Sequence, residues 1–525
     1  MDLLKSIEEA KISLNLFLEN RFDLAEKKME KFVNCSIYHS LVNGLLLMIR
    51  ALMSFERSDI HRAIEAIDSA CSLIQQFRGK QCRTIELIFR MNGSNNNYCD
   101  YSEEQLHAEL CYAELLMIRA ILCLLSDETL KGRIGGLLRI RSCFNIYFGL
   151  YRFLKENEIT RKNSSSHSKS LWREFEAGVC FGFGLFNLLL ASIPPKMAIF
   201  LQLAGICGDK CSKFEDTLRS PLASISILFY QLVLVSFIGV EKIDSDLCEK
   251  IFTKLNGKYP KGAILLFLRA RYRLVSRGHI DESVQLYWHF IRSQSEYKQF
   301  HHICHWELAV TNIFLMHWAR AAWHANKLFE ETIYAYLLAV CIEADNSGDF
   351  SKNKEAVRIL MRKVPENRIK IAGKSIPMEK FVEKRALKWL QIDEKDKDCV
   401  TSHRTFLPQF ELIYLCSGFG LLSNGSCPWI ISPILNYIDK EWEDFMQRDI
   451  QSDHLNEERL LWLFLRAVCL VKLGEFNDAV EIFQKIIQSF VDLFLRARFR
   501  LESKGHKDES VQLYWRYIRS QSEYK

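Results

Sequence analysis

Two stretches of this 525-residue chain are near copies of one another. Residues 266–298 read LFLRARYRLVSRGHIDESVQLYWHFIRSQSEYK and residues 493–525 read LFLRARFRLESKGHKDESVQLYWRYIRSQSEYK, with six differences in 33 positions. About 34 residues is the length of one helix-turn-helix hairpin of a helical-repeat solenoid. One hairpin cannot bury its apolar face alone, so the chain is expected to stack several of them.

The placement of proline supports an all-α fold. Pro194 is the first of nine prolines, so 193 residues precede any helix breaker of that kind. Apolar residues make up 49% of the chain, and they recur at helical spacing among good helix formers. A large helical core is therefore expected.

A packing template predicts where further hairpins lie. A small residue lets two helices approach, a turn residue follows seven positions later, and the second helix then presents one apolar, one small and two large apolar positions. Four segments match it, namely Ser13, Asn20, Phe22, Ala25, Met29 and Phe32; Ala51, Ser58, Ile60, Ala63, Ile67 and Ala70; Ala309, Met316, Trp318, Ala321, Ala325 and Leu328; and Ala467, Gly474, Phe476, Ala479, Phe483 and Ile486.

The repeated unit matches the same template less well. Its turn and second helix have suitable residues, but Arg271 occupies the position of the small residue; the matching positions are Gly278, Ile280, Ser283, Tyr287 and Phe290. Spacing between hairpins also exceeds 34 residues. The prediction is therefore an all-α, degenerate tetratricopeptide-like helical-repeat solenoid of five or six repeats with helical insertions.

Polar stretches divide the chain into blocks. Three of them are typical of loops or linkers, at 91–104, 159–170 and 393–404. The predicted blocks are N-terminal helical repeats at 1–158, an apolar helical block at 171–245, central tetratricopeptide-like repeats with a basic helix at 246–392, a C-terminal repeat at 405–490 and the copied unit at 491–525.

Two stretches in the apolar block are long enough to raise the question of a membrane. Ala177–Pro195 and Ser220–Val240 contain no charged residue over 19 and 21 residues. About 20 apolar residues can span a bilayer, but polar residues and prolines interrupt both, and buried solenoid helices can be apolar all round. Buried core is the favoured interpretation, with membrane-surface contact and spanning as alternatives. Gly178, Gly182 and Gly184 indicate close helix packing.

Cysteine usage and charge narrow the class further. The 17 cysteines are an odd number scattered through apolar helical stretches, which is typical of reduced, buried thiols in a cytosolic protein; examples are Cys71, Cys111, Cys123, Cys341 and Cys469. The N-terminus shows no signal-peptide pattern. A net charge of +6 is modest for this length, so nucleic acid is not an expected partner.

No motif predicts catalysis. His301, His302, Cys304 and His305 are metal-ligand types, but two ligands on one helix face do not make a site, and Cys207 and Cys211 are the only other candidates. Packing between repeats is the favoured interpretation. Gly373-Lys374-Ser375 lacks the P-loop glycine five positions earlier, where Arg368 stands. We therefore predict no enzyme activity, no cofactor and no metal.

One segment is strongly basic. Residues 352–390 contain twelve Lys or Arg and four Glu, a local charge of +8. It is either a solvated helix face or a dock for an acidic peptide or anionic lipid surface. The candidate patch for an anionic partner, called the basic patch below, comprises Arg362, Lys363, Lys374, Lys380, Lys384, Arg385 and Lys388.

Several motifs occur together in a characteristic order. They include GGLLRIRSCFNIY at 135–147, FEAGVCFGFGLFNLLLASIP at 175–194, KQFHHICHWEL at 298–308 and IAGKSIPMEKFVEKRA at 371–386. Over roughly residues 5–488 the chain resembles the tetratricopeptide repeat protein 39 family, which is related to the fungal inclusion body clearance proteins and whose shared domain has also been labelled a mitochondrial outer-membrane protein. The family pattern usually has an aromatic residue where His305 stands.

That resemblance implies a non-enzymatic adaptor that takes a peptide or helix of a protein partner in its repeat groove. It links the chain to lipid storage or aggregate clearance in the cytoplasm. The alternative is a peripheral membrane protein of lipid droplets or the mitochondrial outer membrane.

The copied tail departs from the family pattern. Lys507 replaces Ile280 of the original unit, and Glu502 replaces Val275. Both changes suit an exposed cap or a drifting duplicate more than a packed repeat, so the tail is predicted to dock poorly.

Overall fold

The computed structural model is built from helices, as the all-α prediction requires, apart from one two-residue β ladder. It divides into two compact units, Met1–Gln391 and Ile392–Lys525. The structure describes residues 2–54, 56–78, 98–125, 130–157, 166–191, 216–235, 243–277, 279–294, 297–328, 332–345, 350–366, 370–371, 374–375, 377–395, 408–416, 428–446 and 453–488.

Seven helices are described in the first part of the first unit. They are α1 (Leu3–Leu18), α2 (Phe22–Glu30), α3 (Ile37–Ser54), α4 (Arg57–Phe77), α5 (Glu103–Leu125), α6 (Leu130–Glu156) and α7 (Ser166–Ala191). Consecutive helices pack as hairpins, and α1 against α3 and α3 against α5 form a second layer of contacts. This is the stacking that a helical-repeat solenoid needs to bury a continuous core.

Nine further helices follow within the described ranges. They are α8 (Ser220–Phe229), which continues into a π-helical turn at Tyr230–Val235, α9 (Ser245–Lys258), α10 (Ala263–Arg277), α11 (Ile280–Ser293), α12 (His301–Phe314), α13 (Trp318–Ala325), α14 (Thr332–Ala344), α15 (Phe350–Glu366) and α16 (Pro377–Lys395). Between α15 and α16, Lys370–Ile371 pairs antiparallel with Lys374–Ser375. Lys374 therefore lies on a strand of this ladder and not in a helix.

The second unit contains α17 (Pro408–Leu415), α18 (Pro428–Met446), α19 (Asp453–Leu473) and α20, which covers 476–488. An ion pair of 2.7 Å between Arg466 Nε and Asp439 Oδ1 joins α19 to α18. The copied tail at 491–525 lies outside the described residues.

The template positions are occupied as predicted where two helices approach. Ser13, Ala51, Ala309 and Ala467 on the first helices are fully buried, as are their small counterparts on the second helices. In the first hairpin Ser13 Oγ donates to the carbonyl of Ala25 at 2.8 Å, so the two small residues are in direct contact.

In three of the four matching segments the predicted turn residue closes its helix in a shared conformation, whereas Ser58 of the second segment lies in the first turn of α4. Asn20, Met316 and Gly474 have φ of 70°, 55° and 87°, in the left-handed region. The next residue then donates its N–H to a carbonyl five positions back, at 2.9 Å for Arg21, 2.8 Å for His317 and 2.9 Å for Glu475. This is the Schellman ending of an α-helix, which satisfies carbonyls that the helix leaves open.

Some template residues differ from expectation. Phe32 follows the end of α2 and is 36% exposed, and Phe476 is 62% exposed, although both positions were predicted to be apolar contacts. Phe22, the counterpart of Phe476, is buried because Phe17 and Phe300 pack edge-on against its ring.

Arg271, the misfit of the repeated unit, has a structural reason. Its Nη1 contacts the carboxylate of Glu307 at 2.5 and 2.6 Å, and its Nε donates to the carbonyl of Leu232 at 3.0 Å. The side chain thus links α10 to α12 and to the π-helical turn. Gly278, the predicted turn residue, lies outside the described residues.

The first hairpin packs against the centre of the chain. Asn20 accepts from the N–H of Ala263 and donates to the carbonyl of Lys261, both at 2.7 Å. Arg50 donates to Tyr297 Oη at 3.1 Å, and that hydroxyl donates to Asp23 at 2.7 Å. Hairpins more than 240 residues apart in sequence are therefore direct neighbours.

The apolar block divides into a buried and a half-exposed part. Ala177, Val179, Phe183 and Phe186 lie in the core, as the core interpretation predicts, while residues 192–195 lie outside the described residues. A Cβ added to Gly178 would lie 2.5 Å from Leu110, and one added to Gly182 would lie 2.1 Å from the Tyr147 ring, so both glycines mark close helix packing.

The second apolar stretch forms α8, which is half-buried, with Phe229 47% exposed. Within the described ranges, one helix, Ile37–Ser54, has the length and apolar composition to cross a bilayer, and 67% of it is buried inside the fold. That burial is what a core helix of a repeat protein shows.

The described cysteines are free thiols. Cys111, Cys123, Cys341 and Cys469 are buried as predicted, whereas Cys71 is half-buried. Burial raises the pKa of the Cys111 and Cys469 thiols to about 12, so both stay protonated and unreactive.

The three predicted linkers are only partly described. Residues 98–100 form a 3-10 turn, and α5 starts at Glu103. Residues 166–170, predicted as loop, instead form the first turn of α7.

Candidate protein-binding groove

An open groove of about 690 Å³ lies on the hairpin of α10 and α11, the original copy of the repeated unit. Its volume falls within the range of roughly 300–1,000 Å³ found for ligand sites. Two arginines on α10, one helical turn apart, lie opposite side chains that recur at helical spacing on α11. The lining residues are Arg269, Arg273, Glu282, Gln285, Leu286, Trp288, His289 and Arg292.

Positive charge in this groove exceeds negative charge. Three arginines line it against one carboxylate, Glu282, which lies 3.2 Å from Arg273 Nε. Among the described residues neither Arg269 nor Arg292 has a carboxylate partner.

Arg269 is the least compensated of the three. Its Nη2 donates to Asn256 Oδ1, and its Nε is buried with no hydrogen-bond partner in the described part of the chain. Burial and the nearby charge of Arg273 lower the pKa of the Arg269 guanidinium. Both effects disfavour the charged form, so an anion in the groove would stabilise it.

An aromatic cluster backs one wall of the groove, which Trp288 lines. The Trp288 ring lies 6.3 Å from His305, 6.1 Å from Trp323 and 5.6 Å from His324 between centroids. The Arg292 guanidinium lies 6.0 Å from the same Trp288 ring. Trp288 is half-buried in the groove, and Trp323 beside it is 50% exposed outside the groove lining.

His305 and His324 hold this wall together as neutral rings. Their Nδ1 atoms are 3.0 Å apart, so one ring donates to the other. Burial, assisted by the charge of neighbouring His301, lowers the pKa of His305 to about 4, and burial with His305 lowers that of His324 to about 4. The pair joins α12 to α13, which agrees with the packing interpretation of this motif.

The other residues of that motif are also engaged in packing. His301 Nε2 is 2.6 Å from the carbonyl of Gln294, and Cys304 is fully buried. Within the described part of the chain, no three His, Cys, Asp or Glu side chains are placed to hold a metal ion. Cys207, Cys211 and Gly373 lie outside that part.

The basic patch is distributed over three elements. Arg362 and Lys363 lie on α15, Lys374 on the second strand of the ladder, and the remaining four on α16; these are Lys380, Lys384, Arg385 and Lys388. Spacing of four residues aligns Lys380, Lys384 and Lys388 on one face of α16, where the first two are exposed.

One of the remaining patch members lies beside an aromatic ring. The Arg385 guanidinium lies 5.7 Å from the Phe381 ring. Further along α16, Trp389 Nε1 donates to Glu343 at 2.6 Å and ties the helix to α14. The role of the patch as an anion dock stays a prediction.

The groove residues were missed by reading the sequence, because their charges are spread over two helices without a run or motif. One weak signal exists in the copied unit. Seven of the eight lining residues recur in 493–525, and Arg516 replaces His289.

Comparison with known proteins places these features in a family context. The family model described as Iml2/Tetratricopeptide repeat protein 39 matches residues 11–473. The chain is 32% identical over 503 residues to tetratricopeptide repeat protein ttc-39B of Caenorhabditis elegans, covering 93% of this chain and 82% of that protein. No solved structure matches the chain.

Proposed function

The chain belongs to the Iml2/tetratricopeptide repeat protein 39 family, and we propose that it is a non-enzymatic scaffold that binds a partner protein in the groove of α10 and α11. Stacked helical hairpins present extended surfaces that bind other proteins. The groove is the observation on which the proposal rests, because it combines open volume, the half-buried ring of Trp288 and two arginines without a carboxylate partner among the described residues.

The chemistry of the groove suits a protein segment. Tryptophan and arginine dominate the residues that contribute most to binding at protein interfaces, because both combine apolar area with directional polar groups. Trp288 and Arg292 lie together on α11, and Gln285 on the same helix is exposed. The groove therefore offers an apolar wall, charged groups and hydrogen-bond donors within one hairpin.

The cellular role belongs to the same proposal. By family resemblance, the scaffold acts in lipid storage or aggregate clearance in the cytoplasm. The membrane alternative has its own support, namely the exposed Lys380 and Lys384 on one face of α16 and the half-exposed apolar helix α8. Each basic residue near an anionic membrane surface contributes roughly 1 kcal/mol to binding.

Proximity labelling with mass spectrometry tests the scaffold. Gln285→Tyr places a bulky ring in the groove at an exposed position, so we expect several-fold depletion of a defined subset of labelled partners. Gln391→Tyr makes the same change at an exposed position on α16, outside the groove, and should leave the partners unchanged.

A partner set that is equal for both variants and wild type contradicts the scaffold proposal. Cell fractionation tests the alternative, a peripheral membrane protein. Membrane association that Lys380→Glu with Lys384→Glu abolishes favours a peripheral membrane protein, and retention in the carbonate pellet contradicts a soluble scaffold.

A further inference from the structure

The groove contains positive charge that the fold itself does not neutralise. Arg273 is paired with Glu282 at 3.2 Å, but among the residues that the structure describes Arg269 has only the amide oxygen of Asn256 as a partner. Arg292 is exposed and contacts the face of Trp288. A guanidinium with unused donors is well suited to a carboxylate, whose two oxygens match its planar geometry.

Apolar surface lies directly beside these charges. Leu286 and Trp288 are half-buried on α11, and Trp288 is backed by the neutral rings of His305 and His324. Because both imidazoles are neutral near pH 7, the wall adds no further charge. The groove thus pairs two anion-binding positions with one apolar position.

The size of the groove favours a peptide over a nucleic acid or a bilayer. A volume of about 690 Å³ on one hairpin accommodates a short segment. Nucleic-acid binding requires a basic stripe or face extended over a domain, and a bilayer presents a broad plane. A concave site of this size suits a few side chains.

We propose that this groove recognises an acidic segment of a partner protein, with its carboxylates at Arg269 and Arg292 and an apolar side chain against Leu286 and Trp288. This inference rests on the proposed scaffold function and specifies the chemistry of its partner. The partner segment would carry Glu or Asp next to a Leu-like residue.

Fluorescence anisotropy with a synthetic probe tests the proposal. The probe is a fluorescein-labelled peptide Glu-Glu-Leu-Glu-Glu-Leu-Glu-Glu, and the matched neutral peptide replaces each Glu with Gln. We expect the full chain to bind the acidic probe, to bind the neutral peptide at least tenfold more weakly, and to lose affinity for the acidic probe at high salt.

Variants locate the binding. Arg292→Gln changes an exposed residue, so the fold is retained, and it should weaken binding about tenfold, the loss of one charged hydrogen bond. Arg269→Gln should weaken it by a similar factor, with circular dichroism confirming the helical fold. Lys27→Gln is the control, because it removes an exposed helical lysine outside both the groove and the basic patch.

The proposal is overturned by equal binding of the acidic and neutral peptides, by unchanged affinity in Arg292→Gln, or by an equal loss in Lys27→Gln. Binding to phosphatidylserine vesicles is measured separately. Vesicle binding that depends on Arg269 and Arg292 also overturns the proposal.

Failure of the scaffold proposal can be distinguished from failure of the acidic-segment proposal. If Gln285→Tyr loses partners in proximity labelling while Arg269→Gln with Arg292→Gln retains them, the scaffold stands and the acidic segment is wrong. If Gln285→Tyr loses none, the scaffold itself is wrong.

Discussion

At the scale of single residues, a buried charge network joins parts of the chain that are distant in sequence. Arg219 lies just before α8, and its Nε and Nη2 contact the carboxylate of Glu114 on α5 at 3.0 and 2.9 Å. Its Nη1 donates to Tyr38 Oη at 3.2 Å, and that hydroxyl is 2.6 Å from His107 Nδ1. Burial, followed by the charge of Arg219, lowers the pKa of His107 to about 3, so His107 is a neutral partner.

Breaking this network on one side should be costly. Glu114→Leu leaves the Arg219 guanidinium buried without its counter-charge, and we expect a loss of about 3–5 kcal/mol in the free energy of unfolding. Removing both charges with Glu114→Leu and Arg219→Met should cost clearly less, because no unpaired ion remains. Urea denaturation followed by circular dichroism measures both. Equal losses for the single and double variants would show that the pair contributes only packing.

At the scale of elements, glycine has opposite roles in two helices. Gly182 on α7 faces the buried Tyr147 ring of α6 so closely that a Cβ would overlap it at 2.1 Å. Gly257 on α9 has nothing within 4 Å of its added Cβ. The first glycine sets the distance between two helices, and the second only lowers helix propensity.

The same substitution should therefore change stability in opposite directions. Gly182→Ala must displace a packed ring, and overpacking of this kind costs about 1–3 kcal/mol. Gly257→Ala should raise stability by up to about 1 kcal/mol through helix propensity. Thermal and urea denaturation of the two variants side by side measures the difference. If Gly182→Ala is neutral, the contact between α6 and α7 is looser than the structure indicates.

At the scale of the whole molecule, the first hairpin is fixed by the centre of the chain. Asn20 both closes α1 in a left-handed conformation and bonds to the backbone at 261 and 263. A turn residue of the repeat is thereby also a long-range anchor. The first unit is stabilised by contacts between distant hairpins as well as between consecutive ones.

Removal of the copied tail should have little effect on the whole molecule. We expect deletion of residues 491–525 to change the melting temperature by less than about 2 °C, because Glu502 and Lys507 replace apolar residues of the original unit. Deletion from residue 476 onward is the contrasting case, since it also removes the buried Ala479, Ile482 and Ile486 of α20 and should cost several degrees. Differential scanning calorimetry compares them. A cooperative loss of several degrees on deletion of 491–525 alone contradicts the prediction.

The sequence by itself determined the class, the family and the repeat hairpins of this protein. Small residues such as Ser13 and Ala467, and turn residues such as Asn20 and Gly474, were identified correctly because a hairpin depends on contacts within about 34 residues. Helical periodicity and template spacing record such local contacts directly.

Only the tertiary structure decided which distant residues meet. Arg219 reaches Glu114 across 105 positions, and Arg271 displaces the expected small residue because Glu307 lies opposite it. The uncompensated arginines of the groove belong here too, since a missing partner is visible only once α10 and α11 are packed. The physical reason is that small rotations between successive hairpins accumulate along a solenoid. Pairings between distant repeats depend on that sum, which no single hairpin sequence encodes.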